Sequence, residues 1–286
     1  MGTRGIGGAG FSVCFASVHE TLIPLPPPLP TRRAAARATS RLLLAVSSAL
    51  LAAACQPELP VAGAPETGLE WVQASSRVHD PTGRWVTFAA EVDVASFLED
   101  GRFGWLEELY VDRLADTFRR QIIQRDALLV QTAGPGGCAA RWSATEEASP
   151  AELQSYGFVG EPCDAILPRR ELHEFLLGLP MSALTPRTRF GESPQATQRN
   201  GRDVTLVTLN FEDDPNGQTW FLYVDAATYE LDAAAFQFTS GQGEVFELGD
   251  FQDYDGFRLA GRRRVLDITG TDFVIEQRVR LEALGE

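Results

Sequence analysis

The stretch RWVTFAAEVDV (residues 84–94) places Val86, Phe88, Ala90, Val92 and Val94 on one side and Thr87, Ala89, Glu91 and Asp93 on the other. A period of two belongs to a β-strand with one dry and one wet face. Similar runs follow at short intervals: FGWLEELYV (103–111), TFRRQII (117–123) and DALLVQT (126–132), with GPGG (134–137) as a loop. Beyond the middle of the chain the pattern resumes in DVTLVTLNF (203–211), TWFLYVD (219–225), AAFQFT (234–239), EVFELGDF (244–251), FRLAGRRRV (257–265) and TDFVIEQRVRLEAL (271–284). In the last of these, Phe273, Ile275, Val279 and Leu281 are expected on one face, opposite Glu276, Arg278 and Arg280. DPNG, SGQG and YDG sit between the runs at hairpin spacing.

Helical spacing is confined to three places. ETGLEWVQASSRVHD (66–80) sets Leu69, Val72 and Ser76 on one side before Pro81 and Gly83. SPAELQSYG (149–157) carries Ser149 at an N-cap, Pro150 at the first helical position and Glu152 three residues after the cap. PRRELHEFLLGLP (168–180) aligns Leu172, Phe175, Leu176 and Leu179 before Pro180 ends the run. About ten antiparallel strands with one apolar face cannot lie flat around a few helices. The expected fold class is therefore α+β: a strongly curved antiparallel sheet, or incomplete β-barrel, with helices covering its concave face and a cavity between them. No repeat of 20 to 50 residues occurs, which excludes a solenoid.

Four segments together resemble bacterial lipoproteins of unassigned function in the LolA/LolB-like superfamily: HDPTGRW (79–85), LLGLP (176–180), FLYVDAATYELDAAAFQF (221–238) and DFQDYDGFRLAGRRRV (250–265). The likeness spans most of residues 66–282. It implies a half-barrel with a helix lid and an apolar cavity. LolA and LolB proteins carry lipoprotein acyl chains across the periplasm, but the matching motifs are structural and include no ligand-gripping residues.

The N-terminal region addresses location. LLLAVSSALLAAACQPELP (42–60) holds an apolar run too short to span a bilayer but suited to a signal-peptide core. Arg32, Arg33, Arg37 and Arg41 precede it, and Ala52, Ala53 and Ala54 supply small residues for processing. With Cys55 directly after them, Leu51–Cys55 resembles a lipobox, which implies lipid attachment at Cys55; an ordinary cleaved signal with a leftover cysteine is the alternative. Residues 1–54 are thus expected to be an N-terminal extension and lipoprotein signal peptide, 55–65 a lipidated cysteine and tether, and 66–286 the half-barrel domain. The proline run PLPPPLP (24–30) favours polyproline II, in keeping with a translation start placed too early or, alternatively, a ligand for a partner domain. Gln56 follows the cysteine where an inner-membrane retention signal often has Asp, which favours the outer membrane of a Gram-negative envelope, facing the periplasm.

Composition removes whole classes of partner. The chain has 25 Lys+Arg against 39 Asp+Glu, a formal charge of -14. Setting aside the five arginines and the one acid (Glu20) before residue 55 leaves 20 basic and 38 acidic residues, or -18. Every basic residue is arginine. Such a chain repels nucleic-acid backbones and has no charge affinity for an anionic bilayer, so a membrane would hold it only through lipid. Cys138 and Cys163 are the two cysteines after Cys55, and an oxidising periplasm favours their disulfide, closing a loop of about 25 residues worth roughly 3 kcal/mol.

No motif demands catalysis, metal or cofactor. His79 and His173 lack partners: HEFLL has no second histidine for a zinc site, and no G-x-S-x-G occurs. EDDPNG (212–217) and FQDYDG (251–256) imitate calcium loops, but Tyr223 and Arg262 fall where the bidentate Glu belongs, and hairpin turns account for both. Abundant carboxylates leave close acidic pairs undiagnostic. GRRR (261–264) puts Arg262 and Arg264 on one strand face and Arg263 on the other; an anionic head group could use them, although a solvated strand balancing nearby acids is the plainer reading. The expected function is an envelope lipoprotein, not an enzyme, binding or carrying a lipid or other apolar small molecule. A protein-interaction module with an unknown partner is the alternative, and an envelope hydrolase a third.

Overall fold

The computed structural model describes residues 63–124, 127–143, 162–212, 214, 217–254 and 256–282. The chain divides into two compact units, one of them Ser12–Ala64, of which only the last two residues are described. The other contains residues 65–286 and all the strands and helices described.

Helix α1 (Gly68–His79) starts at a capping box: Thr67 Oγ1 accepts from the Glu70 N–H while Glu70 Oε2 accepts from the Thr67 N–H. Its buried stripe is Gly68, Val72, Ser75 and His79, at spacings of four, three and four. The expected Leu69 side is wrong, since Leu69 is 42% exposed. Gly68 fixes the rotation, because a Cβ there would lie 3.1 Å from Val207 Cγ1 and only this narrow edge can approach the sheet. After α1 the chain makes a 3-10 turn at Arg84–Thr87, held by Asp80, whose carboxylate accepts from the N–H groups of Arg84 and Trp85, both at 2.8 Å. RWVTFAAEVDV is therefore strand only from Ala89; Val86, placed inward by simple alternation, is 72% exposed and Trp85 is buried instead.

Five strands then run as an antiparallel meander: β1 (Ala89–Phe97), β2 (Phe103–Asp112), β3 (Thr117–Gln124), β4 (Ala127–Gly134) and β5 (Gly137–Ser143). Helix α2 (Pro162–Leu177) follows, then β6 (Thr188–Phe190), β7 (Gln195–Arg199), β8 (Arg202–Phe211), β9 (Thr219–Asp225), β10 (Leu231–Gln237) and β11 (Gly243–Gly249). β12 (Gln252–Tyr254) and β13 (Phe257–Leu259) form a separate hairpin before β14 (Arg262–Asp267) and β15 (Phe273–Glu282). The main sheet has thirteen strands in the order β5-β4-β3-β2-β1-β15-β14-β11-β10-β9-β8-β6, with β7 also on β8. Every pairing is antiparallel, and the first and last strands of the domain lie side by side. The fold is α+β with a large curved sheet that does not close into a barrel.

More strands form than the sequence pattern indicates. β5, β6, β7 and β12 had no recognised alternation, and FRLAGRRRV divides at Gly261, where a Cβ would lie 2.5 Å from the Asp250 carbonyl oxygen. A register shift between Val265 and Leu266 separates the Val265–Ile275 pair from the Leu266–Phe273 pair. That bulge sends Phe273 to the outer cluster of Ala235, Val245 and Leu266, away from Ile275 and Val279. Gly217 and Gly256 have φ of 58° and 80°, so the two calcium-like sequences supply the left-handed glycines of hairpin turns.

α2 begins six residues before the expected PRRELHEFLLGLP start and contains Pro168 in its interior. Proline there removes one helical hydrogen bond. Ile166, 0% exposed, and Cys163, bonded to the sheet, hold the first turn in place. The SPAELQSYG helix of the sequence reading lies outside the described residues. Beyond α2, Gly178 permits close packing: a Cβ would sit 2.0 Å from Trp85 Cζ2.

Candidate functional site: the concave face under helix α2

Parity along the strands defines one inward face. Val92, Val94, Leu109, Val111 and Phe118 form an apolar cluster on one side, each essentially inaccessible and each contributing about 1.5–3 kcal/mol by burial. Trp220, Leu222, Phe246, Val265 and Ile275 form a second cluster on the other. α2 serves both. Its Ile166 and Leu177 enter the first cluster; Leu172, Phe175 and Leu176 enter the second, where the Phe175 ring meets Trp220 edge-on at 4.5 Å. The stripe read from Leu172, Phe175, Leu176 and Leu179 is thus the face that packs into the second apolar cluster.

Between the clusters the inward face is polar. Glu107 on β2, Arg120 on β3 and Gln131 on β4 are all buried. Arg120 Nε donates to Glu107 Oε1 at 3.0 Å, its Nη2 contacts the same oxygen, and its Nη1 donates to Gln131 Oε1 at 3.0 Å. From α2, His173 stacks on Phe118 and brings Nε2 to 3.5 Å from Glu107 Oε2. Burial alone would raise the Glu107 carboxyl, but the Arg120 guanidinium beside it holds it below the usual carboxylate range. Burial pushes His173 down to about 3, so its ring is neutral. Glu244, on β11, is pushed up to about 7 by burial against the opposing charge of Arg169. Arg263 is 2% exposed, and burial lowers its guanidinium to about 10.

Residue type concealed this layer; parity exposes it. Glu107 shares a strand face with Leu109 and Val111, Arg120 with Phe118 and Ile122, and Arg263 with Val265. Each charge therefore lay on a face already marked apolar. The entirely apolar concave side expected from the sequence is corrected accordingly.

Cys138 on β5 and Cys163 in α2 are joined by a disulfide, with Cα atoms 5.1 Å apart. It staples the start of α2 to the outermost strand of the first meander. At the other end, Arg170 bridges Asp116 and Glu174 at 2.5 and 2.6 Å. His79 is a structural tie: its Nε2 accepts from the Leu231 N–H at 3.0 Å, and its Nδ1 is 3.3 Å from the Arg258 carbonyl. Arg262 and Arg264 face outward onto Asp250 and Glu247, at 3.1 and 3.4 Å, as a solvated strand would. Two open depressions, of about 430 and 290 Å³, lie on the outer face around Arg262 and around Tyr223.

Among the described residues no three His, Cys, Asp or Glu side chains group as metal ligands, and no helix is long and apolar enough to cross a membrane. Cys55 lies outside the described residues.

These features define an α+β protein whose open curved sheet is covered on its inner face by α1 and by the disulfide-linked α2. No protein-family model and no curated protein matches the chain. Among solved structures it is similar to a LolA-superfamily protein of Nitrosomonas europaea, at 12% identity over 77% of this chain and 94% of that one, with TM-score 0.42. It is also similar to a domain described as outer-membrane lipoprotein-sorting from Vibrio parahaemolyticus (15%, 75% and 92%, TM-score 0.42) and to a DUF1329-family protein of Desulfovibrio piger (10%, 78% and 95%, TM-score 0.44). Likeness at this level says nothing of what this chain binds.

Proposed function

We propose that the protein is a non-catalytic envelope lipoprotein, anchored through Cys55 to the outer membrane and facing the periplasm, that binds an amphipathic lipid or similar small molecule on the concave face. The observation that carries this reading is the inward face itself, where two apolar clusters flank a buried polar layer beneath α1 and α2. An amphipath matches both chemistries, the apolar clusters and the polar layer beside them. Leu172, Phe175 and Leu176 of α2 occupy the apolar half, so a bound chain requires them to yield. The signal-peptide pattern and the lipobox support the address.

Native mass spectrometry of protein purified from its own envelope tests the binding: a co-purified lipid is expected, and its absence overturns the carrier. Alkyne-palmitate labelling tests the anchor, with label on the wild type and none on Cys55→Ala. A second reading, a protein-interaction module, is favoured by the dense packing of α2 on the sheet. One reproducible crosslinked partner without lipid would establish it.

A further inference from the structure

Three polar residues stand side by side across the middle of the inward face. Ser96 on β1 is directly opposite Gln277 on β15, and Gln277 is directly opposite Arg263 on β14. Each carries a buried atom with no hydrogen-bond partner: Ser96 Oγ, Gln277 Oε1 and Arg263 Nε. Buried polar atoms are overwhelmingly paired, and leaving one unpaired costs about 1–3 kcal/mol, more when charged. Three in register on adjoining strands mark a place that expects a guest.

The charge of that guest follows from Arg263. Its guanidinium has no ion pair among the described residues, and the opposing charge that acts on it is Glu107. Glu107 is committed elsewhere, with one oxygen on Arg120 and the other facing His173. A buried cation lacking its own counter-ion favours an anion. The row is not fully buried. Trp105 and Leu248 continue it at either end, opposite Ser96 and Arg263, and both are half-buried, as is Gln277. Both end residues pack against the second apolar cluster, so a group seated on the row has hydrocarbon contacts beside it.

We infer that Arg263, Gln277 and Ser96 form the seat for an oxyanion, carboxylate or phosphate, at the head of the amphipathic ligand. Arg263 supplies the charge and paired N–H donors, Ser96 a hydroxyl donor, and Gln277 an amide that can present N–H to the anion. The apolar chain extends over Leu248 toward Phe246. This inference rests on the proposed ligand-binding function and adds the chemical class of the head.

The test compares oleate, oleyl alcohol and inorganic phosphate by calorimetric titration of the full mature chain below the lipids' aggregation threshold. Oleate is expected to bind at least tenfold tighter than the alcohol, and phosphate alone more weakly than oleate. In Arg263→Met the preference for oleate collapses, while the urea midpoint of the ligand-free protein rises because an uncompensated buried charge is gone. Gln277→Leu, which leaves the charge in place, should reduce the preference partially. Equal binding of oleate and alcohol overturns the seat and leaves the apolar carrier standing; binding of neither overturns both. Phosphate binding as tightly as oleate overturns the assignment to a lipid head. A lowered urea midpoint in Arg263→Met shows that the guanidinium is already paired and likewise overturns the seat.

Discussion

Acidification should weaken the fold through His79, by an amount that follows from its surroundings. The ring is fully buried, accepts the Leu231 N–H on Nε2 and faces the Arg258 carbonyl with Nδ1. Protonating Nε2 breaks the bond to Leu231 and places a cation in a dry site beside Arg258. Burial, aided by the Arg258 charge, pushes the ring down to about 4 from 6.5. The unfolded chain takes up this proton near the ordinary value and the folded chain only near the lowered one, so the unfolded state binds more protons across that window. Stability from this group is present at neutral pH and is lost as pH falls. The full shift corresponds to about 3 kcal/mol, of which roughly 2 is lost by about pH 5. Other groups titrate too: Glu244, pushed up to about 7, contributes in the opposite sense, gaining stability as pH falls. A difference measurement removes them. Urea unfolding of wild type and His79→Gln, followed by tryptophan fluorescence at about pH 7 and pH 5, should show the gap between the two narrowing by about 2 kcal/mol on acidification. A gap constant to within about 0.5 kcal/mol would mean that His79 titrates normally in the fold, refuting the argument from burial.

Two further outcomes probe the polar layer and its cover. Glu107→Gln leaves Arg120 buried without its counter-charge and should cost about 3–5 kcal/mol in urea unfolding, whereas the double change Glu107→Leu with Arg120→Met should restore most of it. Replacing Cys138 and Cys163 by serine opens a loop with sequence separation 25 and should lower stability by about 3 kcal/mol, with thermal melts of the variant then indifferent to reductant.

The parts of the fold that were legible in the sequence are those where burial and residue type agree. Ala90, Val92 and Val94 alternate with polar neighbours and all three are fully buried. β5, GCAARWS, opens its inward side with two small residues, Cys138 and Ala140, which give little apolar alternation; its pairing with β4 comes from the hairpin at residues 134–137. β6 and β7 are short edge strands sharing β8, and exposure on β7 leaves no apolar signal. Phe273 was misplaced because a bulge changes parity without leaving a mark in composition. Leu69 was misplaced because Gly68 sets the rotation of α1, and glycine carries no weight in an apolar stripe.

The polar layer runs against the stability of the fold, because burying ions costs desolvation that their pairing only partly offsets. A hydrophobic replacement of similar volume is commonly as stable, so the Glu107, Arg120 and Arg263 set is better understood through what it discriminates. The chain's net charge of -14 repels a free anion at long range, so steering cannot bring one in. In the proposed seat, selectivity would reside in contact, after water has left, where a guanidinium attracts an oxyanion far more strongly than it does in solvent. An apolar chain would supply the drive to enter against the outer field, and the buried arginine would choose among heads. That division of labour needs cations inside and acids outside. The strand GRRR combines both in consecutive residues: Arg262 and Arg264 pair with surface carboxylates, while Arg263 turns inward with no ion pair among the described residues.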